Sequence, residues 1–208
     1  MMEAGSGRPA RVGLLFGSFN PIHIGHLILA EHMATHTDLE EVWFVVSPQS
    51  PYKVGQELLP EAARLALVQA AISDNQRLRV SDVEFHLPRP SYTIATLDKL
   101  RQQHPATTFV LLMGSDNLAG LAGWKEAGRI QQELDLYVYP RPGHPISEPT
   151  PEPRVQVVSA PLLDISATFI RQSIQAGQSI RYLVPTVVES LIHQHRYWLP
   201  DEIKTPAQ

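Results

Sequence analysis

Short continuous apolar runs recur along this chain with helical stretches between them, and that order leaves few folds open. Val12–Phe16 (VGLLF) ends at Gly17, and a run that is apolar at every position suits a strand buried on both faces. Glu41–Ser47 (EVWFVVS), rich in β-branched and aromatic residues, stops at Pro48. Leu78–Val83, Thr108–Met113 (TFVLLM), Leu134–Tyr139 and Val155–Val158 continue the series. Between them, His23–His36, Pro60–Ile72, Tyr92–His104, Ser166–Gln175 and Pro185–His195 read as helices. The first opens on Asn20 and Pro21 and places Ile24, Leu27, Ile28, Glu31 and Ala34 at helical spacing. In the third, Ile94, Leu97 and Leu100 or Arg101 face inward. Right-handed crossovers between parallel strands put helices on both faces, so the fold class is α/β: a doubly wound, mostly parallel, Rossmann-like sheet with a small C-terminal helical portion.

The chain has 208 residues, which fits one domain with a sizeable core. That domain is expected over 11–200, between a flexible N-terminus at 1–10 and a tail at 201–208. Pro140–Pro153 holds six prolines in fourteen residues and reads as a surface loop, since proline neither donates to a ladder nor continues a helix. With 17 basic and 21 acidic side chains the net charge is -4, which argues against nucleic acid or an anionic membrane as partner. No apolar run has the length of a membrane helix. The absence of cysteine excludes disulfides, thiolate metal sites and a cysteine nucleophile, and suits the cytoplasm. A homo-oligomer is compatible with this composition.

The most informative stretch, Gly17-Ser-Phe-Asn-Pro-Ile-His-Ile-Gly-His26, lies where the first strand turns into the first helix. In an open α/β sheet that carboxyl-end crevice is where ligands bind. Gly17 and Gly25 let backbone approach a ligand, the new helix offers free N–H groups, and His23 and His26 share one face of its first turn. Imidazoles there can donate to phosphate oxygens. The same two histidines could be helix-start polar residues or metal ligands, but a metal would lack an evident third ligand. A second helix start, Ile165-Ser-Ala-Thr-Phe-Ile-Arg171, combines a capping Ser166 with the permanent forked charge of Arg171. In isolation a Ser-x-Thr before a helix is a cap. His32 and His36, four apart on the first helix, have the spacing of a metal-binding pair, but solvated or satisfied core histidines are the commoner reading.

Residues 17–26 resemble the HxGH signature of the nucleotidyltransferase superfamily, and also that of class I aminoacyl-tRNA synthetases. The synthetases' Lys-Met-Ser-Lys-Ser loop and tRNA-binding domains are missing here. Residues 165–171 are instead similar to the ISSTxIR motif of the nicotinate-nucleotide adenylyltransferases, with Ala167 in place of its second serine. Ser91–Leu97 (SYTIATL) matches that family's SYTxxTL segment, and Gly114-Ser-Asp-Asn-Leu118 with Trp124-Lys125 resembles its GxDxL and following tryptophan. Ser47–Lys53 resembles its proline-punctuated loop ending in lysine, with Tyr52 where many relatives carry histidine. Arg64 falls where members have an arginine in the second helix, and His193–Leu199 resembles the C-terminal Leu-Tyr ending loosely. Gly-Ser-Phe-Asn-Pro replaces the commoner Gly-Gly-Thr-Phe-Asp-Pro, which weakens any claim that Asn20 holds magnesium directly.

The resemblance implies adenylyl transfer from ATP to nicotinate mononucleotide, giving nicotinate adenine dinucleotide and pyrophosphate by direct in-line displacement. It gives His23 and His26 to the phosphates, Lys53 and Arg171 to the triphosphate and leaving group, and Mg2+, arriving with ATP, to the β/γ oxygens. ATP binding falls to Gly17, Ser18, Phe19, Gly25, Ile165, Ser166 and Thr168. Substrate binding falls to Ser91, Tyr92, Thr93, Asp116 and Trp124, with Asp116 on ribose hydroxyls and Trp124 stacked on the pyridine ring. The Ser91–Thr93 helix start would favour a carboxylate over a carboxamide through its free N–H groups. Two alternatives stay open for these last residues: Asp116 as a helix cap and Trp124 as a core-edge side chain. A nicotinamide-preferring or phosphopantetheine-transferring relative, or a nucleotide sensor on the same scaffold, are the competing functions.

Overall fold

The computed structural model describes residues 10–48, 58–146 and 154–200. Six strands, β1 (Ala10–Gly17), β2 (Glu41–Val46), β3 (Leu78–Ser81), β4 (Thr107–Gly114), β5 (Asp135–Tyr139) and β6 (Val155–Val157), form one sheet in the order β3-β2-β1-β4-β5-β6. Every pairing is parallel. The order reverses between β1 and β4, so the crevice at their carboxyl ends is the topological switch point.

Alternation along each strand builds two cores. Leu15, Val42, Phe44, Val110, Leu112 and Tyr137 point to one face, under α1 (Ile24–His36), α2 (Glu61–Ala71), α6 (Ala167–Gln175) and α7 (Thr186–Gln194). Val12, Leu14, Val45, Leu111, Leu136 and Val138 point to the other, under α3 (Thr93–Gln103) and α5 (Ala127–Glu133). Fully buried Leu14 and Phe44 each contribute roughly 1.5–3 kcal/mol through apolar area removed from water. Gly13 carries no side chain because a Cβ there would stand 2.7 Å from Leu39 Cδ1.

Several elements differ from the sequence expectation. Strand β1 begins at Ala10, one residue inside the stretch read as flexible, and β3 stops at Ser81, giving way to a 3-10 turn at Val83–His86. Helix α1 forms as expected but buries Leu29, Ala30, Met33 and Ala34, the side away from Glu31, His32, Thr35 and His36. In α3 Leu100 is the inward residue, and Arg101 reaches out to Glu133 at 2.6 Å. Between β4 and β5, where the sequence reading assigned no bounded element, the chain forms α4 (Ser115–Gly120), a 3-10 turn at Leu121–Gly123, and α5. Residues 1–9 and 201–208, Tyr52 and Lys53 within the 49–57 stretch, and 147–153 of the proline-rich segment lie outside the described residues. Among the described residues no helix is long and apolar enough to cross a membrane.

Candidate active site

A cavity of about 420 Å³ opens at the switch point. Its floor is the turn after β1. Gly17 is required there, since a Cβ would lie 2.7 Å from the Phe19 ring, which folds back beneath it. Phe19 takes a left-handed backbone (φ 44) and packs edge-on against Phe44 at 5.3 Å and His26 at 5.1 Å. Asn20, 1% exposed, accepts the Leu59 N–H on its Oδ1 at 3.1 Å, which binds the turn to the entry of α2.

His23 precedes α1 and His26 lies in its first turn. Their rings stack with centroids 3.6 Å apart, and the His23 backbone N–H donates to His26 Nδ1 at 3.3 Å. An acceptor Nδ1 leaves the proton of a neutral His26 ring on Nε2. His23 is only 6% exposed, and its Nδ1 is buried without a hydrogen-bond partner among the described residues. Burial pushes its pKa down to about 4, with the charge of Arg141 acting the same way. His23 is therefore neutral at physiological pH and can offer hydrogen bonds but no charge. Gly25 leaves room for that ring, since a Cβ would come within 3.2 Å of it.

The opposite wall is the start of α6. Ser166 caps the helix by accepting the Phe169 N–H at 3.1 Å, and Ile165, Thr168 and Arg171 line the cavity beside it. Arg171 donates through Nη1 to the Asn20 carbonyl at 2.8 Å and through Nη2 to Thr168 Oγ1 at 3.2 Å. Burial lowers the Arg171 pKa, yet a guanidinium stays charged throughout the working range. The Ile24 N–H at the head of α1 is taken by the Leu183 carbonyl at 2.9 Å.

At the end of β4, Asp116 lines the cavity and lies 3.9 Å from Arg141 Nε. Gly114 makes that meeting possible, because a Cβ would sit 2.3 Å from Asp116 Oδ1 and 3.0 Å from Arg141 Cγ. Arg141 is a cavity residue that the sequence reading did not single out. It stands two residues beyond β5, its guanidinium over the Tyr139 ring at 5.4 Å. Ser115 fixes it from behind, accepting the Arg141 N–H at 2.8 Å and donating to the His144 carbonyl at 2.7 Å. The available signal was an Arg-Pro-Gly immediately after a strand end, which the carboxyl-end rule places at the crevice.

Thus His23, His26, Arg171, Gly17, Ser18, Phe19, Gly25, Ile165, Ser166, Thr168 and Asp116 are brought to one cavity. Ser91, Tyr92, Thr93 and Trp124 stand apart from it. The Ser91 hydroxyl is taken: it donates to Glu84 Oε2 at 3.1 Å, while Thr96 Oγ1 donates to Glu84 Oε1 at 2.7 Å. Glu84 is 2% exposed and had no place in the sequence reading. Tyr92 is the cap residue of α3, and Lys125 Nζ sits over its ring at 4.5 Å, so the Trp124-Lys125 pair and the start of α3 are neighbours.

Asp116 is the one carboxylate among the described cavity residues, and these residues contain no cluster of three or more His, Cys, Asp or Glu. With Asn20 Oδ1 committed to Leu59, the donor set fits a divalent cation carried on phosphate oxygens, not one caged by protein.

The profile of the cytidylyltransferase-like family matches residues 14–173. A Cytophaga hutchinsonii protein named "Probable nicotinate-nucleotide adenylyltransferase" is 50% identical over 188 residues, covering 90% of this chain and 98% of its own length. A Bacteroides fragilis protein of the same name is 48% identical, covering 88% and 92%. In fold, the chain is similar to the Plasmodium falciparum nicotinic acid mononucleotide adenylyltransferase complexed with NaAD, with TM-score 0.76 over 91% of this chain and 97% of that one. At 19% identity that likeness shows the fold alone.

Proposed function

The chain belongs to the cytidylyltransferase-like family and, within it, to the nicotinate-nucleotide adenylyltransferases, and we propose that the cavity at the ends of β1 and β4 is where it works. Its reaction joins the adenylyl group of ATP to nicotinate mononucleotide, forming nicotinate adenine dinucleotide and pyrophosphate, a step of NAD biosynthesis. The observation that carries the assignment is the convergence of the stacked His23 and His26, the free end of α6 and Arg171 on one cavity.

The nucleophile is the 5′-phosphate of nicotinate mononucleotide, already ionised, so no general base is needed. One of its oxygens attacks the α-phosphorus of ATP, the bond to the bridging oxygen breaks, and pyrophosphate leaves with that electron pair. Catalysis then consists of alignment and charge stabilisation. His26, and neutral His23 beside it, donate N–H groups to the phosphates. Arg171 and Lys53 supply positive charge to the triphosphate and leaving group, and Gly17, Ser18, Phe19, Gly25, Ile165, Ser166 and Thr168 bound the nucleotide. Magnesium on the β/γ oxygens of ATP would neutralise charge there. Asp116 takes ribose hydroxyls, Trp124 stacks on the pyridine ring, and Tyr92 and Thr93 offer backbone N–H groups to the nicotinate carboxylate. Ser91 belongs to the same substrate-binding turn, which its hydroxyl anchors to Glu84. A cysteine-free chain of this kind works in the cytoplasm.

Pyrophosphate release with ATP and magnesium, compared between nicotinate and nicotinamide mononucleotide, is the test. Strong preference for the nicotinate form is expected. Equal rates would discard the helix-end account of selectivity, and no release with either would discard the function.

A further inference from the structure

Arg64 is the largest fully buried side chain of the described residues, at 1% exposure, and its hydrogen-bond partners among them are backbone carbonyls. Nε donates to Leu59 O at 3.0 Å, Nη1 to Ser18 O at 2.6 Å and Ser47 O at 2.7 Å, and Nη2 to Pro48 O at 3.0 Å. No carboxylate forms an ion pair with it among the described residues. Glu61, which acts on it through space, is itself bonded to Arg89 at 2.7 Å. Burying a guanidinium without an acid is costly, and a neutral side chain could fill a core position at less expense. What the four carbonyls share is location. Ser18 belongs to the turn that floors the cavity, Ser47 and Pro48 follow β2, and Leu59 precedes α2.

A trans peptide points its C=O and the next N–H in opposite directions. By drawing the Ser18 carbonyl into the core, Arg64 turns the Phe19 N–H away from it, on a residue already in the left-handed region at φ 44. The same side chain ties that turn to the entry of α2 and the exit of β2, as Asn20 does independently through Leu59.

We propose that Arg64 is a positioning residue for the polyphosphate of the nucleoside triphosphate: it sets the Gly17–Phe19 turn through the Ser18, Ser47 and Pro48 carbonyls, and its charge, held by carbonyl dipoles and by no direct ion pair among the described residues, adds to the pull on the bound anion. The proposal rests on the nucleotide reading of the cavity. Its signature is that it concerns phosphates and not the base, so loss must scale with phosphate content.

The experiment measures binding of ATP and of adenosine, and KM for each substrate, in wild type, Arg64→Lys and Arg64→Met, with folding checked by thermal melting. Lysine keeps the charge but its single nitrogen cannot hold four carbonyls. In Arg64→Lys, ATP is expected to bind about tenfold more weakly, the scale of losing a charged hydrogen bond, with adenosine affinity and the acceptor KM within about twofold of wild type. Arg64→Met should lose about another tenfold for ATP only. If that variant does not fold, Arg64→Lys decides alone. Equal weakening of ATP and adenosine, or no weakening of either, would overturn the proposal. Because binding is measured without the acceptor, wild-type protein that binds ATP but releases no pyrophosphate would count against the adenylyltransferase reading and leave the Arg64 result interpretable.

Discussion

Arg171 and Asn20, 151 positions apart in sequence, are joined by a guanidinium N–H donated to a backbone carbonyl at 2.8 Å. The bond couples the α6 wall of the cavity to its floor. It also aims the guanidinium, since a second N–H is fixed on Thr168 at 3.2 Å. Lysine at 171 retains charge but not this two-point orientation, so Arg171→Lys should lower kcat/KM for ATP by about 10–100-fold with a much smaller change in melting temperature. Kinetics at saturating acceptor check it, and a variant as active as wild type would remove Arg171 from the mechanism.

His26 holds its ring in place through an acceptor Nδ1, and the proposed mechanism uses its Nε2–H toward a phosphate. A contact that strengthens as charge develops lowers turnover when lost, more than it lowers ground-state affinity. His26→Ala is expected to reduce kcat by about 10²–10³ while ATP affinity falls less than about fivefold. Equal losses in both would mean uniform binding.

The buried His23 makes stability depend on pH. Its pKa is about 4 in the fold against 6.5 ordinarily, so between these values the unfolded chain binds a proton that the folded chain refuses. Its contribution is complete above about pH 6.5 and is lost as the pH falls toward 4, by about 3 kcal/mol in all. Urea melts from pH 7 to 4.5 should show the decline, and His23→Gln should flatten it. An unchanged slope in that variant would place the acid sensitivity elsewhere.

Glu84, almost fully buried, accepts two hydroxyls. Alanine there leaves Ser91 without its acceptor, whereas Thr96 retains the Tyr92 carbonyl at 3.3 Å. Glu84→Ala should cost about 1–3 kcal/mol and raise KM for nicotinate mononucleotide more than KM for ATP, with Glu84→Gln milder on both counts. If both KM values move together, Glu84 braces the fold and nothing finer.

Gly114→Ala tests the Asp116 assignment by geometry alone. The new Cβ would displace the Asp116 carboxylate, which stands 2.3 Å away, and that carboxylate is the free end of a side chain able to swing. Stability should change by less than about 1 kcal/mol while activity drops as far as in Asp116→Ala. Wild-type activity in Gly114→Ala alongside a damaged Asp116→Ala would contradict the assignment.

The strands were legible because a parallel strand buried on both faces leaves a continuous apolar run, as at Val12–Phe16 and Thr108–Met113. The short α4 and α5 were not, since Gly114, Gly120, Gly123 and Gly128 interrupt any periodicity there. At the site, motifs gave residues whose chemistry is local to a helix start. Arg141 was hidden because its neighbours are prolines, and its place depends on Ser115, a tertiary bond that no spacing records. Glu84 illustrates the same limit: nothing in the Ser91–Leu97 segment records the buried carboxylate that accepts the Ser91 and Thr96 hydroxyls.

The bond from the Ile24 N–H to the Leu183 carbonyl gives the site a birth date. The head of α1 and Leu183 lie far apart in sequence, so during synthesis the cavity cannot be completed before residue 183 has been made. ATP can therefore shelter the finished protein from unfolding by mass action, but it cannot chaperone the growing one. Ribosome-bound chains halted before residue 183 should gain no protease resistance from ATP, and full-length chains should.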